Sequence, residues 1–468
     1  MYVCFSQQSL PNSSMNHMEK DIITPITVTY KYFLTYSHLH HFRFCLLLIT
    51  KMPSSKITYF QSYFEQLPNE LFFEIFDYLD AYEIYQSFFK LNRRFQHLFY
   101  SSNLPLKVNF LSIFDNQYEN DYFNVLNQQK HHITSLNFMY INRIQRIIIN
   151  SSFTRLKSLV FIDLSTDNLL EQLTNLTLLP YLSSLKILRH HDYSIVLDEI
   201  YQRIFQISTL TYFKLSSNIY RPRISFSTDF LWNSIQYLTM NHSCYLDDLY
   251  AILSYTPRLI RLTCQELLKP TNTISNYCQI MNLDCLTMIS ISECYVCFDN
   301  FEEFLRKIST HLQTIRIHTY WDANYLDACR WENLIEKYMI EFKEFIFQHH
   351  DFLDDDFQLT EYHLLLNQFR SSFWINKKHY FDLTIDVNDR SWTEIIYSLR
   401  PSNEISNDLE LTLKGSINRD FFIENIFMIL IQLPITQLVV SHSEISIEIF
   451  TDFIDYYLPY LKVVTINR

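Results

Sequence analysis

Glycine is almost absent from this chain. Its 468 residues include a single glycine, Gly415, where average usage of about 7% would give roughly thirty. Phosphate-binding loops, dinucleotide-binding turns and the nucleophile elbow of hydrolases need glycine where the backbone is crowded or φ is positive. None of these devices can be built with one glycine. The scarcity therefore excludes most nucleotide-dependent enzymes and the α/β-hydrolases.

Basic charge and regular cysteine spacing are also lacking. With 38 Lys and Arg against 50 Asp and Glu, the formal net charge is −12. Phosphate binding needs a basic footprint, so neither nucleic acid nor a membrane surface is expected as the main partner. The 9 cysteines are an odd number without the spacing of a disulfide framework, which favours a reducing cytoplasmic or nuclear location. A hydrophobic content of 48% is typical of a folded globular protein.

Residues 1–55 are expected to form an irregular leader outside the folded body. Within it, the apolar segment 33–50 is interrupted by histidines and by Arg43, whereas a membrane span needs about 20 largely uninterrupted apolar residues. No basic start followed by a small-residue cleavage site is present. Met52 is an alternative start, in which case residues 1–51 are not part of the protein. Membrane association through segment 33–50 stays as a further hypothesis.

The stretch from Phe64 to Phe99 carries three short helical patterns. Its first apolar stripe has the spacing of one helix face and consists of Leu71, Phe72, Ile75, Phe76 and Leu79. Pro68 stands where this helix would begin. Asp80 and Glu83 predict a capping box for a second helix, and Asn92 is predicted to cap a third. Such a piece is too small to bury its aromatics well, so we expect a partner to complete its core.

Three segments of this stretch resemble an F-box. They are Leu67-Pro68-x-Glu70-Leu71, Ile75-Phe76-x-Tyr78-Leu79 and Phe95-x-x-Leu98. The resemblance covers a small part of the chain but keeps order and spacing together. It implies an F-box over residues 56–105 that binds a Skp-type adaptor of a cullin-RING ubiquitin ligase. By this resemblance the adaptor-facing and core apolar surface would come from Leu67, Pro68, Leu71, Ile75, Phe76 and Leu79. An ordinary helical hairpin is the alternative.

The body, residues 106–468, repeats a segment of the form apolar-x-x-apolar-x-apolar. Most intervals between successive repeats fall in the range of about 20–29 residues that is typical of leucine-rich repeats. The middle apolar residues, called anchors below, are Leu136, Leu159, Leu185, Phe213, Leu238, Leu262, Ile289, Ile315, Phe345, Leu383, Leu411, Leu438 and Val464. Helical spacing appears between anchors, as in Leu249, Ile252 and Leu253, or Phe301, Phe304, Leu305 and Ile308, or Ile423, Phe427 and Leu430.

Strands that alternate with helices predict parallel pairing with crossover helices. The predicted fold class is therefore α/β, with an N-terminal three-helix F-box followed by a leucine-rich-repeat-like solenoid whose parallel sheet is curved. An α/β domain without a true repeat is the alternative. In such a solenoid the concave side is the default binding face. Candidate target-binding residues on it are Lys186, Lys214, Arg316 and Thr384, with Asn137 and Thr239 on the same side.

The long interval between Phe345 and Leu383 predicts an inserted loop over residues 349–379. It contains His349, His350, Asp351, the run Asp354–Asp356, Phe373, Trp374, Lys377 and Lys378. A solvated loop is the expectation, and a contact with the target is the alternative.

No metal, cofactor or catalytic residue is predicted. Cys294 and Cys297 have the residue type of a zinc site, but Cys278 and Cys285 upstream are spaced too widely to supply the second ligand pair. Cys294 is better explained as a buried repeat position. Adjacent histidines on a strand point to opposite faces, so a His-His doublet alone does not make a two-ligand site.

These observations lead to one functional hypothesis and one rival. The hypothesis is a non-catalytic substrate-recognition subunit of an SCF-type ubiquitin ligase, with a Skp-type adaptor, a cullin scaffold and an unknown protein target as partners. The rival is a repeat-based interaction scaffold without a ligase role, in which the helical segment caps the repeats.

Overall fold

The computed structural model forms two compact units, Met1–His132 and Ile133–Arg468. The residues it describes are 67–110, 119–139, 149–189, 197–218, 224, 233–271, 283–308, 310–353, 368–388, 392–401, 410–415, 437–441 and 463–467. Several sequence predictions lie outside these residues. They concern the leader, Cys278, the run Asp354–Asp356 and the helix around Ile423, Phe427 and Leu430.

The described part of the first unit begins with short helices. These are α1 (Asn69–Phe76), α2 (Ala81–Ile84), which continues as a π-helical turn over Tyr85–Phe89, and α3 (Arg93–Phe99). Strand β1 (Leu106–Asn109), helix α4 (Glu119–Gln128) and a 3-10 turn (Lys130–His132) follow. Strand β1 and helix α4 thus belong to the same compact unit as the helices before them.

The predicted helix starts are confirmed. Pro68 is the residue before α1, with φ of −65°, where its missing N–H costs nothing. Asp80 and Glu83 form the capping box: the Glu83 N–H donates to Asp80 Oδ1 at 2.8 Å, and the Asp80 N–H donates to Glu83 Oε2 at 2.9 Å. The Phe95 N–H donates to Asn92 Oδ1 at 3.2 Å. These bonds satisfy N–H groups that have no partner inside their own helix.

Phenylalanine rings fill the centre of the first unit. The ring centroids of Phe72 and Phe95 lie 4.9 Å apart, and those of Phe76 and Phe88 lie 5.0 Å apart, both edge to face. Edge-to-face contacts are favoured because the positive ring edge meets the negative ring face. All of these rings are at most 1% exposed. The expectation that a partner would have to bury the aromatics is therefore wrong: the rings pack on one another, and Tyr122 of α4 adds a buried ring against α2.

The second unit is an α/β structure with a large, mostly parallel sheet of 14 strands in its described residues. The strands are β2 (Ile133–Met139), β3 (Ser158–Ile162), β4 (Ser184–Arg189), β5 (Tyr212–Ser217), β6 (Tyr237–Tyr245), β7 (Arg261–Leu268), β8 (Met288–Cys294), β9 (Thr314–Tyr320), β10 (Glu344–Leu353), β11 (His379–Asn388), β12 (Trp392–Pro401), β13 (Glu410–Gly415), β14 (Gln437–Ser441) and β15 (Val463–Asn467). The helices are α5 (Thr166–Leu176), α6 (Leu197–Phe205), α7 (Leu246–Ser254), α8 (Phe298–Ile308), α9 (Ala328–Tyr338) and α10 (Ser372–Asn376).

All predicted anchors lie in strands. Neighbouring anchors face each other across the sheet from Leu136 to Phe345 and again from Leu383 to Val464, whereas β12 separates Phe345 from Leu383. Leu159 pairs with Leu136 on one side and with Leu185 on the other. Leu411 pairs in the same way with Leu383 and Leu438. The anchors from Leu136 to Leu438 are at most 1% exposed. The repeated segment therefore places one apolar side chain of each strand at a shared level within each of these two series of strands. Across β12 the level changes, because Leu383 is level with His349 and not with Phe345.

One strand departs from the predicted all-parallel sheet. Strand β12 is antiparallel and lies between β10 and β11, where Tyr397 pairs with His349 and with Leu383. The sequence analysis missed it because the interval from Leu383 to Leu411 has the ordinary repeat length. Inside that interval β12 pairs antiparallel with the strand before it, β11. Alternation of buried Ile395, Tyr397 and Leu399 with less buried neighbours is its period-2 signature.

The predicted inserted loop over residues 349–379 is also partly wrong. Strand β10 continues through His349, His350 and Asp351 to Leu353 because β12 supplies hydrogen-bonding partners along that length. Trp374 lies in α10 and is fully buried, with its ring 5.7 Å from that of Phe345. The described parts of this segment therefore belong to the packed body.

Two of the predicted helices are confirmed by their position and burial. Leu249, Ile252 and Leu253 are buried in α7, and the buried side of α8 includes Phe301 and Phe304. Within the described residues, no helix combines the length and the apolar run needed to cross a bilayer.

Replacing an anchor should destabilise the second unit far more than replacing its neighbour. We expect Leu262→Ala to lower the free energy of unfolding by about 2–5 kcal/mol, because it leaves a cavity in the buried layer. Thr263→Ala, on the other face of the same strand, should cost about 1 kcal/mol or less. Urea unfolding followed by circular dichroism measures both values. Equal losses for the two variants would contradict the burial described here.

Candidate functional site

Helix α1 has an apolar side that the core does not cover. Of the predicted adaptor-binding residues, Phe76 is 1% and Leu79 is 5% exposed, so both belong to the core. The others are half-buried or exposed; they are Leu67, Pro68, Leu71 and Ile75. Tyr78, two residues beyond the end of the helix, is 44% exposed. We call Leu67, Pro68, Leu71, Ile75 and Tyr78 the α1 strip.

Arg94 of α3 positions the start of this strip. Its Nε and one terminal nitrogen donate to Asn69 Oδ1 at 3.0 and 2.7 Å. The same terminal nitrogen donates to the Leu67 carbonyl oxygen at 2.5 Å. The guanidinium also lies 5.3 Å from the centre of the Phe72 ring. The sequence analysis did not identify Arg94, because no local pattern links it to a backbone segment that lies so far before it in the chain.

The second candidate surface is the side of the sheet that alternates with the buried anchors. Its side chains are half-buried or exposed along β3, β4 and β5, and we call it the accessible face. The predicted target-binding residues Lys186, Lys214, Arg316 and Thr384 all lie on it. The structure brings Lys186 and Lys214 together as register partners. Arg316 and Thr384 lie several strands away, on β9 and β11.

Two of the three basic residues among these predictions, Lys186 and Arg316, have partners. Lys186 Nζ lies 5.7 Å from the centre of the Tyr212 ring. A guanidinium nitrogen of Arg316 lies 3.5 Å from a carboxylate oxygen of Glu344. This part of the accessible face therefore offers partly compensated positive charge.

A different group of side chains gathers where β8, β9 and β10 approach their carboxyl ends. The Tyr295 and Tyr320 rings stack with centroids 5.0 Å apart, and the Tyr320 and His350 rings stack at the same distance. Trp321 lies beside this stack, 5.8 Å from the Tyr295 ring. His350 is the register partner of Tyr320. Aromatic rings from three neighbouring strands or strand ends thus form one continuous platform.

Carboxylates flank the platform at both ends. The Tyr295 hydroxyl donates to Glu293 Oε2 at 3.2 Å, and Glu394 Oε1 lies 2.6 Å from His350 Nδ1. Burial raises the pKa of Tyr320, and the negative charges of Glu293 and Glu394 raise it further. Tyr320 therefore lies in the field of both carboxylates. We call Tyr295, Tyr320, Trp321, His350, Glu293 and Glu394 the aromatic–acidic cluster.

Trp321 has a backbone conformation that is unfavourable for a bulky residue. Its φ is +59°, in the left-handed region, which costs an L-residue other than glycine about 1–2 kcal/mol. At the end of β3 the corresponding left-handed residue is Asp163, with φ of +50°, and aspartate tolerates this region. The Trp321 N–H donates to the His350 carbonyl oxygen, and the Asp163 N–H donates to the Leu188 carbonyl oxygen. In both cases the acceptor lies on the neighbouring strand.

Asp322, the residue after Trp321, holds the turn in place through its carboxylate. Asp322 Oδ2 accepts the Phe298 N–H at 2.6 Å, and Oδ1 accepts the Asn324 N–H at 3.1 Å. One carboxylate thus joins the start of α8 to the turn after β9. Despite this fixed backbone, the Trp321 side chain is 66% exposed.

The sequence contained a signal for this cluster that we did not use. Tyr320 and His350 each stand five residues after the anchors Ile315 and Phe345. Tyr295 stands six residues after Ile289, and the irregularity between Ile291 and Cys294 takes up the extra residue. Aligning the segments on their anchors would have placed Tyr320 and His350 side by side, whereas Tyr295 joins them only through the irregularity in β8.

The two histidines of the 349–350 doublet lie on opposite faces of β10, as predicted for adjacent strand residues. His350 belongs to the cluster, whereas His349 is fully buried and its Nδ1 lies 2.9 Å from Thr319 Oγ1. Burial lowers the pKa of His349 to about 3. His242 is likewise buried, with a pKa lowered to about 4, and it accepts the Tyr201 hydroxyl at 2.8 Å. Both imidazoles are neutral at physiological pH.

Cys294 takes part in a structural contact. Its Sγ lies 3.4 Å from the Tyr325 hydroxyl, and burial raises the pKa of its thiol to about 11. Within the part of the chain that the structure describes, no group of three or more His, Cys, Asp or Glu side chains is placed to hold a metal ion.

A scan against models of known protein families and a search of curated proteins both find no match to this chain. Function is therefore inferred from the side chains themselves. The described residues offer two surfaces suited to binding: the apolar α1 strip of the first unit and the aromatic–acidic cluster of the second.

The buried histidines predict a loss of stability in acid. Since the unfolded chain protonates histidine below about pH 6.5 and the folded pKa of His349 is about 3, the unfolded state binds more protons in between. Stability should therefore fall as the pH falls from 6.5 towards 4. We expect His349→Leu to reduce this slope by about 1.4 kcal/mol per pH unit.

Urea unfolding between pH 4.5 and 7.5 measures the slope, and His97→Gln, at an exposed position, is the control. An unchanged slope in His349→Leu would show that His349 is not kept neutral by burial.

Proposed function

We propose that this chain is the substrate-recognition subunit of an SCF-type ubiquitin ligase. In this proposal the helices around α1 form an F-box that binds a Skp-type adaptor, and the adaptor joins the chain to the cullin scaffold. The second unit is a leucine-rich-repeat-like solenoid whose accessible face binds the protein target. The ubiquitin-transfer chemistry lies in other subunits.

The observation that carries the proposal is the α1 strip. The first unit fills its own core with Phe72, Phe76, Phe88 and Phe95 and still leaves Leu67, Pro68, Leu71 and Ile75 accessible. An apolar helix side that remains after the core is complete is typical of an interaction surface. These residues are also the ones that carry the resemblance to an F-box.

Two further observations support the proposal. Anchors that share a level from β2 to β10, and again over β11, β13, β14 and β15, are what stacked repeats require, since each repeat buries its apolar side against its neighbours. The described cysteines Cys244, Cys264, Cys285, Cys294, Cys297 and Cys329 are all free, which favours a reducing cytoplasmic or nuclear location.

Removing apolar side chains from the strip should weaken adaptor binding without unfolding the protein. We expect Leu67→Ala with Pro68→Ala to lower recovery of a Skp-type adaptor in co-purification about tenfold or more, since about 1.4 kcal/mol of lost apolar contact gives a factor of ten. Glu74→Ala, at an exposed position of the same helix, should leave recovery unchanged. Circular dichroism establishes that both variants are folded.

Undiminished adaptor recovery in the double variant would show that the strip is not the adaptor surface. If the wild-type chain recovers no adaptor at all but binds a protein through the sheet, the rival hypothesis of a repeat-based scaffold is correct.

A further inference from the structure

The aromatic–acidic cluster combines flat rings with carboxylates that have no lysine or arginine partner among the described residues. We propose that it binds an arginine-bearing segment of a partner protein, with the guanidinium stacked on the rings and paired with the carboxylates. This assigns a partner class to the accessible face. It rests on the proposed function only for the statement that the partner is a ligase target, and the binding itself needs no ligase subunit.

Charge distinguishes this cluster from the rest of the accessible face. Among the described residues, Glu293 has the neutral Tyr295 hydroxyl as its hydrogen-bond partner, and Glu394 has the His350 imidazole. Neither carboxylate is paired with a lysine or arginine of the described chain. Glu344, by contrast, is a carboxylate that does have a basic partner, since Arg316 lies 3.5 Å from it. A cation is therefore the ligand that the cluster lacks.

The partial burial of the carboxylates strengthens this preference. The side chain of Glu394 is 21% exposed, and Glu293 is half-buried. Charges that have lost part of their hydration interact more strongly with an incoming cation than charges fully in water. The neighbouring strand extends the negative region, since Glu266 is the register partner of Glu293 and accepts a hydrogen bond from Ser243.

Arginine fits this geometry better than lysine. Its planar guanidinium stacks on aromatic faces and forms forked hydrogen bonds with carboxylates, whereas the lysine ammonium is a strongly hydrated point charge. Trp321 offers the largest exposed ring of the cluster, next to Tyr295 and Tyr320. The net charge of −12 also favours encounter with a basic segment.

The test measures binding of synthetic peptides to the full-length chain by fluorescence anisotropy. The probe is a fluorescein-labelled Gly-Ser peptide with three arginines, and the matched control peptide has citrulline at those positions, which keeps the shape and removes the charge. We expect a Kd below about 1 mM for the arginine peptide and at least tenfold weaker binding of the citrulline peptide. Equal binding of the two peptides, or no binding of the arginine peptide at 1 mM, would overturn the proposal.

Variants then locate the site. Glu293→Gln with Glu394→Gln, and separately Trp321→Gly, should each weaken binding of the arginine peptide at least fivefold. Glu303→Gln is the matched control, because Glu303 lies on α8 and pairs with Lys307. Unweakened binding in both cluster variants would overturn the assignment.

Trp321→Gly also separates loss of the ring from loss of the fold. Glycine adopts a positive φ without strain, so the urea midpoint of this variant should equal or exceed that of the wild type while peptide binding falls. Adaptor recovery should be the same for all cluster variants and the wild type. If the wild-type chain recovers no adaptor, the proposed ligase role is rejected. If the wild-type chain recovers adaptor but does not bind the arginine peptide, only the arginine site is rejected.

Discussion

The second unit depends on a shared register in its sheet. From β2 to β10 each strand contributes an anchor to one buried level, so that Leu262 lies between Leu238 and Ile289. Strands β11, β13, β14 and β15 share a second level in the same way. A slip of one residue would turn a strand's anchor to the opposite face, because side chains alternate along a strand. The register is therefore strongly specified. It also decides which side chains meet on the opposite, accessible face.

The aromatic–acidic cluster is a consequence of this register. Tyr320 and His350 stand at equal distances from their anchors, so parallel pairing places their rings side by side. Tyr295 joins them because an irregularity in β8 absorbs one residue. Strand β12 then brings Glu394 to His350, although the two residues are far apart in the chain. The cluster thus combines three repeated segments with one strand that breaks the repeat.

The first unit meets a different constraint, which is how a short helix can be apolar on two sides. Helix α1 directs Phe72 and Phe76 into a cluster of rings, and Leu71 and Ile75 lie on a side that the core does not fill. The sequence analysis grouped these residues into one stripe, since neighbouring positions on a helix share a broad apolar sector. Packing separates them: Phe72 and Phe76 are at most 1% exposed, whereas Leu71 and Ile75 are half-buried.

Features that depend on local chemistry were determined by the sequence alone. Caps such as Asp80 and Asn92 act within three residues, and the anchors repeat at intervals that can be read directly from the chain. Only the tertiary structure decided where β12 pairs, that His349 and His350 belong to a strand and not to a loop, and that Trp321 stays exposed in a left-handed turn. These features depend on which backbone lies alongside, and no short-range pattern carries that information.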